Sequence, residues 1–234
     1  MQTIGLIGGM SWESTVTYYQ VINEVVKSEL GGLHSAKIVL YSVDFEEIAR
    51  YQAVGDWERS GEVLGAAARA LELAGANFIL ICTNTMHKIV PQIERYVSIP
   101  ILHIAKMTAK QLHLDKVSRV GLLGTRYTMQ GDFYKQVLID EKIEVVLPED
   151  EDMDVINSVI YDELCLGHVR EASKAEFIRI IEDLRFRGAE GIILGCTEIG
   201  LLITQHDTDI LLYDTAIIHA KSAALKSVEE DVSQ

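Results

Sequence analysis

Short runs rich in apolar residues recur along the chain at 3–8, 36–43, 77–82, 119–124, 143–147, 192–194 and 210–213 and read as strands, with 192–194 of the kind buried on both faces. Between them the apolar positions fall at helical spacing. Val63, Leu64, Ala67 and Leu71 predict a helix over 57–74 that stops at Gly75, and 173–187 predicts another that stops at Gly188. Further helices are expected over 86–97, 106–115, 155–166 and 214–226, and one capped by Ser14 or Thr15 that runs to Leu30. Residues 44–52 read as a polar segment, 148–154 as an acidic loop, 101–104 as a short strand after Pro100, and 228–234 as a fraying tail. Strands alternating with helices in this way define an α/β protein with mostly parallel sheets.

The pattern is written twice. Residues 75–85, Gly-Ala-Asn-Phe-Ile-Leu-Ile-Cys-Thr-Asn-Thr, lie without a gap on 188–198, Gly-Ala-Glu-Gly-Ile-Ile-Leu-Gly-Cys-Thr-Glu. In that alignment Thr83 falls on Cys196. Upstream, Ile4-Gly5-Leu6-Ile7-Gly8-Gly9 matches Val120-Gly121-Leu122-Leu123-Gly124-Thr125. Gly5 to Thr83 is 78 residues and Gly121 to Cys196 is 75, so the two copies keep nearly the same internal spacing. Two similar lobes are expected, residues 1–115 and 116–213, with the terminal helix 214–227 packing back on the first. Each lobe then brings one reactive position to a ligand held between them.

Length and composition narrow the function. The chain has 234 residues, 48% of them hydrophobic, which is ample for a packed core. Its net charge of −14 argues against nucleic acid or an anionic membrane as partner and for a cytoplasmic protein. No apolar run reaches membrane-spanning length, and the N-terminus lacks the order of a signal peptide. Three cysteines, Cys82, Cys165 and Cys196, make no disulfide framework, and no Cys-x-x-Cys or His-x-x-x-His spacing points to a metal. The glycine-rich turn after the first strand lacks the spacing of a dinucleotide or P-loop site.

Cys196 follows a buried strand at the end where open α/β sheets bind ligands. Backbone N–H groups and a following helix are expected there to favour its thiolate. Two acid/base groups on opposite sides of one carbon can take a proton from one face and return one to the other, the chemistry of a racemase that needs no cofactor. An acidic substrate brings carboxylates that need donors, and Asn84, Thr85, Thr125, Thr128 and Thr197 stand at the corresponding strand ends. Arg126, in the turn 125–128, adds a guanidinium suited to a carboxylate.

Three stretches, Gly8-Gly9-Met10-Ser11-Trp12-Glu13-Ser14-Thr15, Cys82-Thr83-Asn84-Thr85-Met86-His87 and Gly195-Cys196-Thr197-Glu198-Ile199, resemble the aspartate/glutamate racemases that use no pyridoxal phosphate, over essentially the whole chain. The resemblance is strongest to the aspartate racemase branch and to its broad-specificity or L-aspartate/glutamate-specific bacterial members. It implies two pseudosymmetric Rossmann-like α/β/α lobes with the active site between them, a homodimer, no cofactor and an acidic amino acid as substrate. One departure stands out: Thr83 occupies the place of the family's first catalytic cysteine, as the internal repeat also indicates. Cys82 is one residue early, and on a strand that turns a side chain to the other face.

Carried over by position, Cys196 deprotonates the L-isomer and Thr83 faces the opposite side, so the expected enzyme is kinetically biased toward L-aspartate or L-glutamate. The same positions imply substrate contacts from Met10, Ser11, Met86 and Glu198, and contacts to the distal carboxylate from Arg50, Gln52 and His168. His87 is expected to order its turn, and His103 and His219 to be structural. Glu198, ionised, would raise the pKa of Cys196 unless it is protonated or turned to the substrate amine. Two rivals remain: a one-cysteine enzyme of maleate isomerase or decarboxylase type, and a protein that binds an amino acid without turning it over.

Overall fold

A computed structural model describes residues 1–229; residues 230–234 of the expected fraying tail lie outside the described residues. In chain order the elements are β1 (Ile4–Gly8), α1 (Trp12–Leu30), β2 (Ile38–Ser42), α2 (Phe45–Ala53), α3 (Trp57–Leu73), β3 (Phe78–Ile81) and a short α4 (Val90–Ile93). There follow α5 (Ile104–Leu114), β4 (Arg119–Leu123), α6 (Arg126–Gln130), α7 (Asp132–Asp140), β5 (Glu144–Val146), α8 (Asp150–Asp162) and α9 (Glu171–Phe186). The chain closes with β6 (Gly191–Leu194), α10 (Ile199–Leu202), β7 (Leu211–Asp214) and α11 (Thr215–Val228). They form two compact units among the described residues: 1–104 with 216–229, and 105–215. Helix α5 falls with the second unit rather than the first, and Tyr134 of α7 donates to Thr108 within it at 3.3 Å.

The first unit holds a three-stranded parallel sheet in the order β2-β1-β3. Alternate residues supply its two faces. Ile4, Leu6, Phe78, Leu80 and Cys82 join Tyr18, Ile22 and Val26 of α1 and Ala216, Ala220, Ala223 and Ala224 of α11 in one apolar cluster. Ile7, Ile79 and Ile81 join Leu64, Ala67, Ala68 and Leu71 of α3 in the other. Because β1 and β3 are covered on both sides, their sequences show continuous apolar runs rather than alternation, whereas the edge strand β2 leaves Leu40 and Tyr41 exposed. The second unit is a four-stranded parallel sheet in the order β5-β4-β6-β7. Phe177, Ile180, Ile181 and Leu184 of α9 are fully buried in this unit, as are Val120, Leu122, Ile192 and Ile193 of its central strands.

The duplication survives to the level of individual hydrogen bonds. In β1/β3 the partners are Ile4–Phe78 to Ile7–Ile81; in β4/β6 they are Val120–Gly191 to Leu123–Leu194, the pairs the sequence repeat superposes. Ahead of each second strand, Gly75 (φ 92°) and Gly188 (φ 95°) end helices α3 and α9 in a left-handed conformation that only glycine adopts cheaply. A Cβ on Gly5 would lie 3.3 Å from that of Leu71, and one on Gly121 would meet Leu184, so the same close helix-to-sheet approach occurs in both copies.

Several local expectations change. The cap of α1 is Ser11, whose hydroxyl accepts from the Ser14 amide. The polar segment 44–52 is helical, capped by Asp44, with Ile48 its buried anchor. The acidic stretch 148–154 is not a loop throughout: Asp150, Glu151 and Asp152 form the first turn of α8, where free N–H groups favour carboxylates. The helix expected over 86–97 is broken into short 3-10 and α turns around Pro91, and the strand expected over 101–104 reduces to a single bridge, Ile79 to Ile101.

Candidate active site

In the first unit, β1 and β3 end side by side and hand over to two polar turns. The amide of Cys82 donates to the Ile7 carbonyl at 2.9 Å, the last ladder bond before the turn. Cys82 is fully buried in the cluster shared by α1 and α11, and burial pushes its thiol pKa up. Thr83, one residue on, is half-buried. The turn after β1 is tied down by hydroxyls. Thr15 accepts from the Gly9 amide at 2.9 Å and donates to the Ser11 carbonyl at 2.8 Å, while Ser14 reaches the carbonyls of Ser11 and, at 3.3 Å, Cys82. Ser14 thereby fastens the first turn to the second, a link that the sequence repeat does not signal.

Thr83 is held from behind. Its carbonyl lies 2.9 Å from Nδ1 of His87, and Nε2 of the same ring lies 3.1 Å from the Ile104 amide. Since an amide can only donate, Nε2 accepts and Nδ1 carries the proton that Thr83 receives. Burial, then His103 and His219, holds His87 well below the usual imidazole range, so it is a neutral brace. His219 is fixed similarly: Nε2 donates to the Leu102 carbonyl at 2.7 Å and Nδ1 lies 2.9 Å from the Tyr18 hydroxyl, with its pKa lowered to about 3, chiefly by burial.

The other residues expected in this unit are placed as follows. Ser11, Asn84 and Thr85 are buried in the two turns. Met10 and Met86 send their side chains into the cluster against α3, so what they offer a ligand is main chain. Gln52 is buried on α2, whereas Arg50 is exposed there with its guanidinium 5.5 Å from the centre of the Tyr51 ring.

In the second unit the equivalent ladder bond runs from the Gly195 amide to the Leu123 carbonyl at 2.6 Å, and Cys196 follows as Thr83 follows Cys82. The thiol donates to Oε2 of Glu198 at 2.9 Å, and the Thr197 hydroxyl donates to the same oxygen at 2.9 Å. Glu198 itself is buried. Burial first, and then the Glu198 carboxylate, raises the Cys196 pKa well above the ordinary thiol value. The surroundings therefore favour the thiol over the thiolate expected from a helix N-terminus. The helix that follows, α10, has only four residues and offers little dipole.

Thr125 caps α6 by accepting from the Thr128 amide, and the two hydroxyls lie 3.4 Å apart, Thr128 fully buried. Arg126 does not offer its guanidinium to a ligand. It is engaged by Asp154, at 2.7 Å from Nε, and by the Asp150 carbonyl at 3.1 Å, both on α8. His168 is exposed just after the left-handed Gly167. Among the described residues no cluster of three or more His, Cys, Asp or Glu side chains could hold a metal, and no helix is long and apolar enough to cross a membrane.

A parallel α/β unit built twice, with a threonine and a cysteine at the same turn of the two copies, defines a two-lobed α/β protein. The chain belongs to the Asp/Glu/hydantoin racemase family, whose model matches residues 7–223. It is 50% identical to a candidate Asp/Glu racemase from Yersinia pestis, whose crystal structure superposes with a TM-score of 0.92 over 97% of this chain and 100% of that one. A crystal structure of an aspartate racemase homologue from Pyrococcus horikoshii OT3 is 36% identical over the whole of both chains, with a TM-score of 0.84. The broad specificity amino-acid racemase RacX of Bacillus subtilis (strain 168) is 25% identical over 222 residues, 94% of this chain and 95% of that protein. Family membership supports an amino-acid racemase.

Proposed function

We propose that the protein interconverts L- and D-aspartate or glutamate by removing and returning the α-proton, without pyridoxal phosphate, and that it works faster from the L-isomer. The observation that carries this reading is the equivalence of Thr83 and Cys196 in the two copies, fixed by matching strand registers. Cys196 acts as the acid/base on one face of the α-carbon. Thr83 stands for the opposite face, where its hydroxyl delivers a proton directly or through water but is a poor base near neutral pH. An equilibrium constant of one between enantiomers is untouched by this difference, so the bias is one of rate.

Main-chain and hydroxyl donors at the turns, from Ser11, Asn84, Thr85, Thr125, Thr128 and Thr197, bind the carboxylates and stabilise the charge that builds as the carbanion forms. Met10 and Met86 contribute main chain, Glu198 meets the amino group, and Arg50, Gln52 and His168 serve the distal carboxylate. The same reading gives a cytoplasmic homodimer, supported by the family resemblance and the charge of the chain.

Proton NMR in deuterium oxide tests this with no cofactor added. Loss of the α-proton signal from L-aspartate or L-glutamate, abolished in Cys196→Ala, is the expected result. No exchange from either amino acid, in either enantiomer, overturns it and favours a one-cysteine enzyme of another type or a binding protein.

A further inference from the structure

A threonine hydroxyl rides on a short β-branched side chain with a stiff first torsion, so the main chain that carries it decides where it points. At Thr83 that main chain is gripped by a histidine. Nδ1 of His87 donates to the Thr83 carbonyl at 2.9 Å, and Nε2 accepts from the Ile104 amide at 3.1 Å. The ring is buried and flanked in T-shaped contact by His103 and His219, with centroids 4.6 and 5.7 Å away.

The far anchor is firm as well. Residues 100–104 run beside β3: the Pro100 carbonyl accepts from the Ile79 amide at 2.9 Å, and the Leu102 amide donates to the Ile79 carbonyl at 2.8 Å. His219 adds its bond to the Leu102 carbonyl at 2.7 Å. Ile104, fully buried, ends this strap at the point where the chain leaves the first unit. The other copy is built differently. Four residues past Cys196, as His87 is four past Thr83, stands Gly200, where a Cβ would lie 2.6 Å from a carboxylate oxygen of Asp214. There the Cys196 carbonyl accepts from the main-chain amide of Ile199 at 3.1 Å. The side-chain brace goes with the hydroxyl and not with the thiol.

We propose that His87 is a positioning residue for the second face of the α-carbon. By fastening the Thr83 carbonyl to the strap 100–104 it sets where the hydroxyl delivers its proton, and so how often a carbanion inverts before it returns to the L-isomer. This rests on the racemase reading and extends it to the partition of the intermediate. The carbanion left when Cys196 takes the α-proton has two exits. A proton from the Cys196 sulfur restores the L-isomer. A proton from the Thr83 side gives the D-isomer, and that side regains its own from water. His87 touches no reacting atom and keeps its proton on Nδ1 throughout, so removing the brace slows the second exit and spares the first.

His87→Phe keeps a ring and loses both bonds, whereas His87→Gln keeps a donor and an acceptor on one amide. With L-aspartate or L-glutamate in deuterium oxide, two rates are read at early conversion: appearance of the D-isomer, by chiral chromatography, and deuterium in the recovered L-isomer, by mass spectrometry. In His87→Phe, kcat for D-isomer formation falls by about 10- to 100-fold, the cost of misplacing a reacting group, and KM stays within a few-fold. Deuterium return to the L-isomer falls much less, so the ratio of inversion to return drops, and His87→Gln restores part of it. A ratio that keeps the parent value overturns the proposal, whether both rates are intact or both have fallen together as in a poorly folded chain. Nitrogen NMR of the isotope-labelled ring checks the brace with no substrate: His87 protonated on Nδ1 is expected, and protonation on Nε2 instead overturns the bonding pattern. If the wild-type protein exchanges no α-proton, the racemase reading fails and takes this one with it, while the tautomer separately reports the brace.

Discussion

Cys82 and Gly195 occupy one place in two copies of the same unit: each amide makes the last ladder bond of its strand, to Ile7 at 2.9 Å and to Leu123 at 2.6 Å. The residue after each, Thr83 or Cys196, is therefore the first to leave its sheet. Cys82 stays behind, facing the apolar cluster of α1 and α11. A cysteine one position early cannot stand in for the one the duplication displaces.

Placing a thiol at the equivalent turn should even out the two directions. Thr83→Cys is expected to raise the initial rate from D-aspartate or D-glutamate toward that from the L-isomer, as followed by circular dichroism or chiral chromatography. The new thiol would have Thr85, not a carboxylate, two residues on, so its own proton is held less tightly than that of Cys196. A variant that stays as biased as the parent would show that Thr83 does not serve the second face.

Removing the buried sulfur should cost stability and spare catalysis. Cys82→Ala deletes one fully buried heavy atom, about 1 kcal/mol by transfer alone, and should leave kcat within a few-fold of the parent. Chemical denaturation reads the first and α-proton exchange the second. Loss of exchange at full stability would make Cys82 a participant.

The two left-handed glycines should respond alike. Gly75→Ala and Gly188→Ala each force a side chain into a positive-φ conformation and should destabilise by about 1–2 kcal/mol. Thermal unfolding checks this. Alanine tolerated at either site without loss would argue against the shared turn geometry.

Acid should unfold the first unit through its histidines. His219 is lowered from 6.5 to about 3 and His87 well below 6.5, so between those limits the unfolded chain binds more protons than the folded one. The stability they confer is complete above about pH 6.5 and drains away as the pH falls toward 3. Melting temperatures across that range should fall, and His219→Gln should flatten the slope, since an amide can still bond Tyr18 and Leu102 without titrating. An unchanged slope would assign the acid sensitivity elsewhere.

The repeated strands were legible in the sequence, because a strand buried on both faces leaves an uninterrupted apolar run such as Phe78–Ile81 or Ile192–Leu194. So was the equivalence of Thr83 with Cys196. What escaped was local and set by tertiary packing. Helix α2 has a nine-residue span with Ile48 as its main buried apolar residue, too faint a periodicity to register. The acidic start of α8 has the composition of a loop, yet its charges suit a helix N-terminus and also recruit Arg126 from the turn where it was expected to serve a ligand. The thiolate expected at Cys196 failed for a similar reason: spacing reveals a glutamate two residues on but not which way its carboxylate turns.

The matched registers of β1/β3 and β4/β6 bear on how such an enzyme acquires a handed preference. Two copies of one scaffold are, at the turn, interchangeable frames. On the proposed mechanism, the enantiomer handled faster depends on which copy carries the sulfur, and a chain with the threonine and cysteine transposed would mirror this one in its rates while sharing its fold. A preference of that kind would be a product of divergence between the duplicates, reversible by side-chain exchange and independent of the architecture the two copies share.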